Sequence, residues 1–564
     1  MHKSIFVTCL LICLVERLQG NNFFVSTNAM SNGTGTYDNP WKLQVALSHP
    51  KNLKPGDTVW IRGGIYLNAF DAQTSFSCFT KGAPNAPIIF RNYNHERVIL
   101  DGDLNYTLYA DINNCYHTWF WGLEISNSYS KDRKHSITGG ITCTASEMKF
   151  INLIVHDTGE GIDVWKTSTN SEVYGCIVYH IGNNLNNNGN WEGHGHGMYL
   201  QNDTFGTRKI HNNIIFSTYG YGMKIWQTTT TAALGHFDIR DNVIFNGGAA
   251  SENLGGVGNN SRTHNFFVVS NSVSNPVLRS SIVHNFTFSG TNTPRPPVNA
   301  FGLNYGMLEC RIDSNVLTGQ TRLGYNNTPI FKTSFINNKI LAGIPAAYGY
   351  YLWGFNTIDF PQNEYIPDPS IQKNEYYILD NKYESYNSHL IIYNWENHDL
   401  VKVNMVKQGW DLSDSYILVN VMDLFNDTIQ GKLNSEGEIE VSMQDRTLTK
   451  AVGADKDPVS QFPQFGVFKL IRIPNRVTRI HSHKENNCTI FPNPCSEQIS
   501  VVADHKINRI ELHNINGDKV LSKVILENSN KTEVSVRDLK PGVYWIYIYC
   551  KSKFEIKKII VTGS

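Results

Sequence analysis

Short β-branched or aromatic segments recur through residues 116–343, each led by Asn or Gly, and nothing else in the chain narrows the choice of fold so far. Gly122-Leu123-Glu124-Ile125, Asn152-Leu153-Ile154-Val155, Gly175-Cys176-Ile177-Val178, Asn213-Ile214-Ile215-Phe216 and Asn242-Val243-Ile244-Phe245 come first; Asn271-Ser272-Val273, Asn315-Val316-Leu317 and Asn338-Lys339-Ile340 follow. The first six leaders are separated by 30, 23, 38, 29 and 29 residues. A fixed short strand at variable spacing describes a coil whose rungs carry loops of different length. A leucine-rich or helical repeat would hold a stricter period with helical apolar spacing. The Asn column has a mechanism. Asn tolerates the left-handed conformation at a tight bend, and stacked side-chain amides hydrogen-bond from rung to rung.

A second pattern sits beside the first. Gly159-Glu160-Gly161-Ile162-Asp163-Val164-Trp165, Gly195-His196-Gly197-Met198-Tyr199-Leu200-Gln201 and Gly220-Tyr221-Gly222-Met223-Lys224-Ile225-Trp226 share the template Gly-x-Gly-apolar-x-apolar-x, with weaker copies at 138–144 and 254–258. No dinucleotide-binding helix follows, and the repetition argues for turns entering parallel strands. Strand alternation sends Ile162, Val164, Met198, Leu200, Met223 and Ile225 into the coil interior. It leaves Asp163, Tyr199 and Lys224 in one outer column and Trp165, Gln201 and Trp226 in a parallel one. With neighbouring strands about 4.8 Å apart, Asp163 and Lys224 stand roughly 10 Å from each other.

These features, together with the entry Gly33-Thr34-Gly35-Thr36-Tyr37-Asp38-Asn39-Pro40-Trp41, the short amphipathic stretch Lys42–Leu47 and the turn-strand-turn of 54–66, resemble the right-handed parallel β-helices of the pectate-lyase-like superfamily. The resemblance covers 21–343, more than half the chain. It implies an all-β coil whose first open edge is capped by the short helix, which hides amides that would otherwise recruit other strands. It does not imply one reaction, because the superfamily includes lyases, hydrolases, epimerases and non-enzymatic adhesins.

The outer face offers groups for sugar chemistry. An acid, a phenol and an amine lie beside two tryptophans, and aromatic faces pack on the apolar faces of sugar rings. The 38-residue step holds an insertion at 183–195 that brings Trp191, Glu192, His194 and His196 to the same edge. Long loops on a rigid scaffold are common places for binding and catalytic groups. His194 and His196, two apart on an extended segment, are expected on one side of it; each is open to a turn, an acid–base or a metal-ligand role. His156 and His180 end successive strands and read as a structural stack. The expected catalytic set is Lys224, Tyr199, His196, His194 and Asp163. Trp165, Trp226, Gln201, Trp191 and Asn202 are expected to bind substrate.

Two mechanisms fit. In a uronan lyase, Lys224 or a histidine removes the proton alpha to the uronate while Tyr199 protonates the departing oxygen. The family resemblance adds calcium as a candidate cofactor, with Glu160, Asp163 and Glu192 as its carboxylates or with Asp163 orienting the base. In a glycosidase, Glu160, Asp163 and Glu192 supply the two working carboxylates. The lyase is preferred; the hydrolase and a non-catalytic glycan-binding adhesin stay as alternatives.

The rest of the chain concerns export and accessory modules. Met1-His2-Lys3 followed by the apolar stretch Ser4–Val15 and the polar exit to Gly20 reads as a secretory signal over 1–20. Beyond it no apolar run reaches the roughly 20 residues that span a bilayer. The balance of 49 Lys+Arg against 49 Asp+Glu excludes a nucleic-acid binder that works by neutralising phosphates. None of the eight cysteines after the signal makes a close CxxC pair, and Cys488 and Cys495 either bridge or remain buried thiols. Residues 344–372 read as a linker or cap, and 373–473, with longer alternating strands, as an accessory β-sandwich expected to pack on the coil. Over 487–564, Pro492-Asn493-Pro494, Asn516-Gly517, Pro541-Gly542-Val543-Tyr544 and the terminal Lys557-Lys558-Ile559-Ile560-Val561 resemble the type IX secretion sorting domain of Bacteroidetes. That resemblance implies the secretion machinery as partner, an extracellular polysaccharide within reach, and a secreted or surface-attached protein.

Overall fold

Alternating apolar residues on short strands can be buried only by stacking, and the chain stacks them. The structure is a computed structural model that describes residues 20–68, 75–103, 105–129, 133, 137–183, 194–203, 206–227, 229, 233–250, 264–270, 272–290, 299–324, 330, 332–343, 352–475, 488–493, 495–503, 506–514, 519–525, 529–550 and 553–562. Residues 1–19 of the secretory signal expected over 1–20 lie outside them. Three parallel sheets form a β-helix. The first runs from Asn22–Val25 to Ser334–Ile336, the second from Phe76–Cys78 to Leu352–Trp353, and the third from Gly64–Leu67 to Glu364–Ile366. Ile162, Val164, Met198, Leu200, Met223 and Ile225 lie in one continuous buried core, as the alternation requires. The helix Leu43–Leu47 closes the entry end by burying Leu43, Ala46 and Leu47 in that core.

The coil extends past 343. Leu352–Trp353 adds a rung to the second sheet and Glu364–Ile366 a rung to the third, so part of the segment read as linker or cap is coil.

The bend and the amide ladder occupy two adjacent columns, where the sequence reading had merged them. The left-handed residues are Gly122, Asn152, Gly175, Asn212, Asp241, His284, Ser314 and Asn337. The residue after each points inward, and from Asn213 onward it is Asn: 213, 242, 285, 315, 338 and 363. Each of the first five donates its backbone N–H and its side-chain amide to the Oδ1 of the next, at 2.8–3.1 Å. Asn271 lies outside the described residues, and the rung after Asn242 is led by Asn285. Asn242→Leu removes the acceptor for two buried donors of Asn213, each worth about 1–3 kcal/mol when left unsatisfied. It is expected to lower unfolding free energy by about 2–4 kcal/mol, measured by denaturant titration.

The template's second glycines have a steric cause. A Cβ on Gly161 would lie 2.1 Å from the Gly197 carbonyl oxygen, and one on Gly197 would lie 2.4 Å from Ile215. Successive turns approach too closely for any side chain there.

From Ile177–Tyr179 to Val316–Thr318 the third sheet is buried on both sides, which is why these strands lack polar alternation. Its outer column, His156, Tyr179, Phe216 and Phe245, stacks ring on ring at 5.1 Å. His156 therefore stacks on Tyr179, and His180 meets Tyr179 edge-on at 4.9 Å; the two histidines do not stack on each other. A sandwich covers this column. Its five-stranded antiparallel sheet (Glu375–Asp380, Asn387–Tyr393, Phe465–Ile473, Ser415–Asn420, Thr428–Lys432) packs Ile391, Tyr393, Trp395, Phe465 and Val467 on the coil. The pair Leu400–Asn404 and Glu438–Ser442 closes the other side over a separate core.

The tail is a separate compact unit from Asn475. Three strands (Thr489–Phe491, Gln498–Val502, Lys531–Ser535) and four (Lys519–Val524, Ile507–His513, Gly542–Cys550, Lys553–Val561) make antiparallel sheets around one core. Pro494 and the Asn516-Gly517 turn lie outside the described residues. Cys488 and Cys495 are buried, and Cys495 Sγ donates to the Ile560 carbonyl at 3.4 Å.

Candidate active site

The second sheet places the outer residues in register: Asp163 beside Tyr199, Tyr199 beside Lys224. The middle residues of the Gly-x-Gly turns form a neighbouring column, because Gly161 donates to the His196 carbonyl, Gly197 to that of Tyr221 and Gly222 to that of His264. Glu160, His196, Tyr221 and His264 thus line up alongside Asp163, Tyr199, Lys224 and Phe267.

These side chains form one cluster. Lys224 Nζ lies 3.3 Å from His196 Nε2 and 4.2 Å from the centre of the Trp226 ring, with the Tyr221 ring at 5.3 Å and the Tyr199 ring at 5.8 Å. The backbone N–H of Tyr221 donates to His196 Nδ1 at 3.0 Å, and the two rings stack at 5.0 Å. Gln201 donates to the Tyr199 hydroxyl at 3.0 Å, and Trp165 packs 5.5 Å from the Tyr199 ring.

Asp163 is buried, and its Oδ1 has no hydrogen-bond partner. Burial first, and the neighbouring charge of Glu160 second, hold its carboxyl well above the usual range. Burial likewise pushes the Tyr199 phenol up to about 12, against the hydrogen bond from Gln201 and with added repulsion from Asp163 and Glu160.

Several expected site residues do something else. Glu160 uses both oxygens on backbone: Oε1 accepts from Gly195 N at 2.9 Å and Oε2 from His196 N at 2.8 Å, while His194 Nδ1 lies 3.1 Å from Oε1. It fixes the turn that carries His196. His194 and His196 do not share a side. Gly195 turns the backbone at φ +83°, leaving His194 75% exposed and His196 buried. Asn202 is fully buried, its amide donating to the carbonyls of 206, 235 and 236, so it ties down a turn and presents no surface to a ligand. Trp191 and Glu192 lie outside the described residues.

Calcium takes six to eight oxygen ligands, with ionised carboxylates among them. Of the three expected calcium carboxylates, Glu160 caps backbone amides, Asp163 is buried, and Glu192 lies outside the described residues.

The sequence reading passed over Tyr221, although the template shows it at the position of Glu160 and His196. It also passed over Tyr106, which feels the charges of Asp163 and Glu160, and over the continuation of the outer column through Phe267, Gly302, Arg322 and Trp353.

Residues 489–562 match the family described as "Secretion system C-terminal sorting domain". The tail is a secretion sorting domain. A sorting domain marks the chain for secretion or attachment at the cell surface, and it implies the type IX secretion machinery as partner. No helix among the described residues is long and apolar enough to cross a membrane. Upstream of the sorting domain, solved structures similar to the chain include "Crystal structure of pectate lyase Pel9A" (13% identity, 58% of this chain and 76% of that one, TM-score 0.38). "Rhamnogalacturonan lyase" matches at 14% identity over 61% of this chain and 87% of that one (TM-score 0.37), and "Glycoside hydrolase" at 9% over 60% and 98% (TM-score 0.38). A curated relative, "Uncharacterized protein YwoF" of Bacillus subtilis (strain 168), is 32% identical over 88 residues, which are 16% of this chain and 17% of that protein. The chain thus spans under a fifth of that relative, and no residue role passes from any of these proteins to this one.

Proposed function

We propose that this exported chain degrades an acidic polysaccharide by β-elimination, with Lys224 as the base. The observation that carries the reading is the chain Tyr221 N–His196–Lys224. An imidazole that accepts a backbone N–H at Nδ1 carries its proton on Nε2. The 3.3 Å contact between Nε2 and Nζ is then a hydrogen bond only when the lysine offers a lone pair. His196 is a positioning residue: it favours the amine form of Lys224, which aromatic rings surround on the outer face.

In the proposed step Lys224 Nζ takes the proton alpha to the uronate carboxylate, and the electron pair forms the ring double bond. The glycosidic C–O bond breaks, and the departing oxygen takes a proton from the Tyr199 hydroxyl, one rung away and protonated at working pH. The neutral Asp163 carboxyl donates a hydrogen bond to the substrate carboxylate and so favours charge moving onto it in the transition state. Trp165 and Trp226 supply faces for sugar rings. A hydrolase needs an ionised carboxylate as partner to the acid; Glu160 is committed to backbone amides, and Glu192 lies outside the described residues.

A panel of uronans and neutral glycans tests this. Unsaturated, ultraviolet-absorbing product supports it; reducing ends without unsaturation, or retention without product, overturn it. Asp163→Asn keeps the shape while removing a carboxyl whose raised pKa disfavours the folded state as pH climbs above the normal carboxylate range. The variant is expected to lose about tenfold or more in turnover, yet to unfold at an equal or higher temperature than the parent at pH 8, with the difference shrinking at pH 4. Paired rate and melting measurements check both parts.

A further inference from the structure

Away from the outer face, between the third sheet and the sandwich, lies a cavity of about 150 Å³. Its wall is mostly apolar, but two basic side chains stand in it together. His389 and Lys469 face each other across antiparallel strands and share the coil-facing side of the sheet with Ile391 and Val467. His389 is 4% exposed, and its Nδ1 has no hydrogen-bond partner. Opposite, Asn152 of the coil accepts from Asn381 at 2.8 Å through Oδ1, while its buried Nδ2 has no partner. Lys469 takes part in no ion pair among the described residues. Glu384, the cavity's carboxylate, accepts from Trp121 at 3.0 Å through Oε1 and from Asn387 through Oε2, and its charge partly offsets that of Lys469.

The polar groups left over are chiefly donors: an ammonium, an amide nitrogen and an imidazole nitrogen that donates in one tautomer. Buried polar nitrogens without partners, as Asn152 Nδ2 and His389 Nδ1 are, are costly, and the half-buried ammonium of Lys469 stands beside them. One acceptor-rich molecule satisfies all three. We propose that this cavity binds a small oxyanion, a carboxylate or phosphate group held by Lys469 Nζ, Asn152 Nδ2 and His389. Phe425, on the cavity wall, is 43% exposed. Burial lowers the pKa of both Lys469 and His389, a strain that a bound anion would relieve. The site lies on a different sheet from the Lys224 cluster, so it stands whether or not the lyase reading does.

The test titrates the full chain separately with acetate, glucuronate and inorganic phosphate against sodium chloride of matched ionic strength. Heat of binding and melting temperature are followed, and a crystal is soaked in whichever probe binds. A raised melting temperature, density bonded to Lys469 and at least tenfold weaker binding by Lys469→Gln are expected. Response to acetate and glucuronate alone identifies a carboxylate source, response to phosphate alone a phosphate source, and either supports the site. If Lys469→Gln does not fold, His389→Gln takes its place with the same expectation. Water alone in the cavity, with equal responses from parent and variant, overturns the proposal.

Discussion

Lys224→Met is expected to lose about a thousandfold in turnover on a uronan, within the 10²–10⁴ range for removing a general base, with little change in melting temperature. Methionine fills nearly the same space between Trp226, Tyr221 and Tyr199 and removes a group that is unfavourable to desolvate. Lys224→Arg is the more informative partner. Arginine keeps the positive charge and can bind a carboxylate, but it does not deprotonate in proteins. A base at 224 therefore predicts that arginine is as inactive as methionine. If arginine restores the rate, residue 224 acts as a carboxylate clamp and the base lies elsewhere. Tyr199→Phe should cost less on substrates with a good leaving group, because proton donation matters less there. Initial rates from ultraviolet absorbance, with melting curves on each variant, decide among these outcomes.

What the chain shows before folding is the alternation. Once Gly-x-Gly-apolar-x-apolar-x repeats, a two-residue period fixes which side chains enter the coil, and the neighbours 163, 199 and 224 follow from it. Register between rungs was harder to read. The 29-residue step from Asn242 to Asn271 matched the step before it, yet the true partner, Asn285, lies 43 residues on, with the strands His264–Val269 and Val277–Leu278 between them. The coil's last strands were missed because Leu352–Trp353 and Glu364–Ile366 are two and three residues long in a Pro- and Tyr-rich stretch. In the site, the sequence names residue types but not their surroundings. Glu160 and Asp163 look like equivalent carboxylates; burial without a partner raises the pKa of Asp163, and two backbone amides make Glu160 a strut. His194 and His196 part because Gly195 breaks the alternation that would have aligned them.

Arg133→Met is expected to destabilise the fold by about 3–5 kcal/mol, the range for stripping one partner from a buried ion pair. Arg133 is fully buried and pairs with Asp157, and it also donates to the carbonyls of His180, Gly182 and Val452. Asp157 in turn accepts from the backbone of Val452 at 2.9 Å and lies 2.7 Å from His156 Nδ1. His156 Nε2 is 3.0 Å from Glu124, which Arg97 holds in a bidentate pair. The network joins coil to sandwich, and it titrates. Burial alone would lower His156, but the hydrogen bonds and charges of Asp157 and Glu124 overcome it and raise the imidazole to about 9. A raised folded pKa contributes stability that is complete below the unfolded value near 6.5 and is lost as pH climbs toward 9, on the order of 3 kcal/mol. His180 runs the other way. Burial brings it down to about 4, so its protonation in the unfolded chain withdraws stability as pH falls from 6.5 toward 4. Asp157, held below the usual carboxylate range against its own burial, adds an acid loss at lower pH still. The contribution of this network should therefore peak near pH 6.5. His156→Gln, which cannot carry the charge, should flatten its alkaline side while leaving the acid side in place. Denaturant midpoints from pH 4 to 10 for the parent and His156→Gln test this, and an alkaline limb of unchanged slope in the variant would assign the loss to other groups.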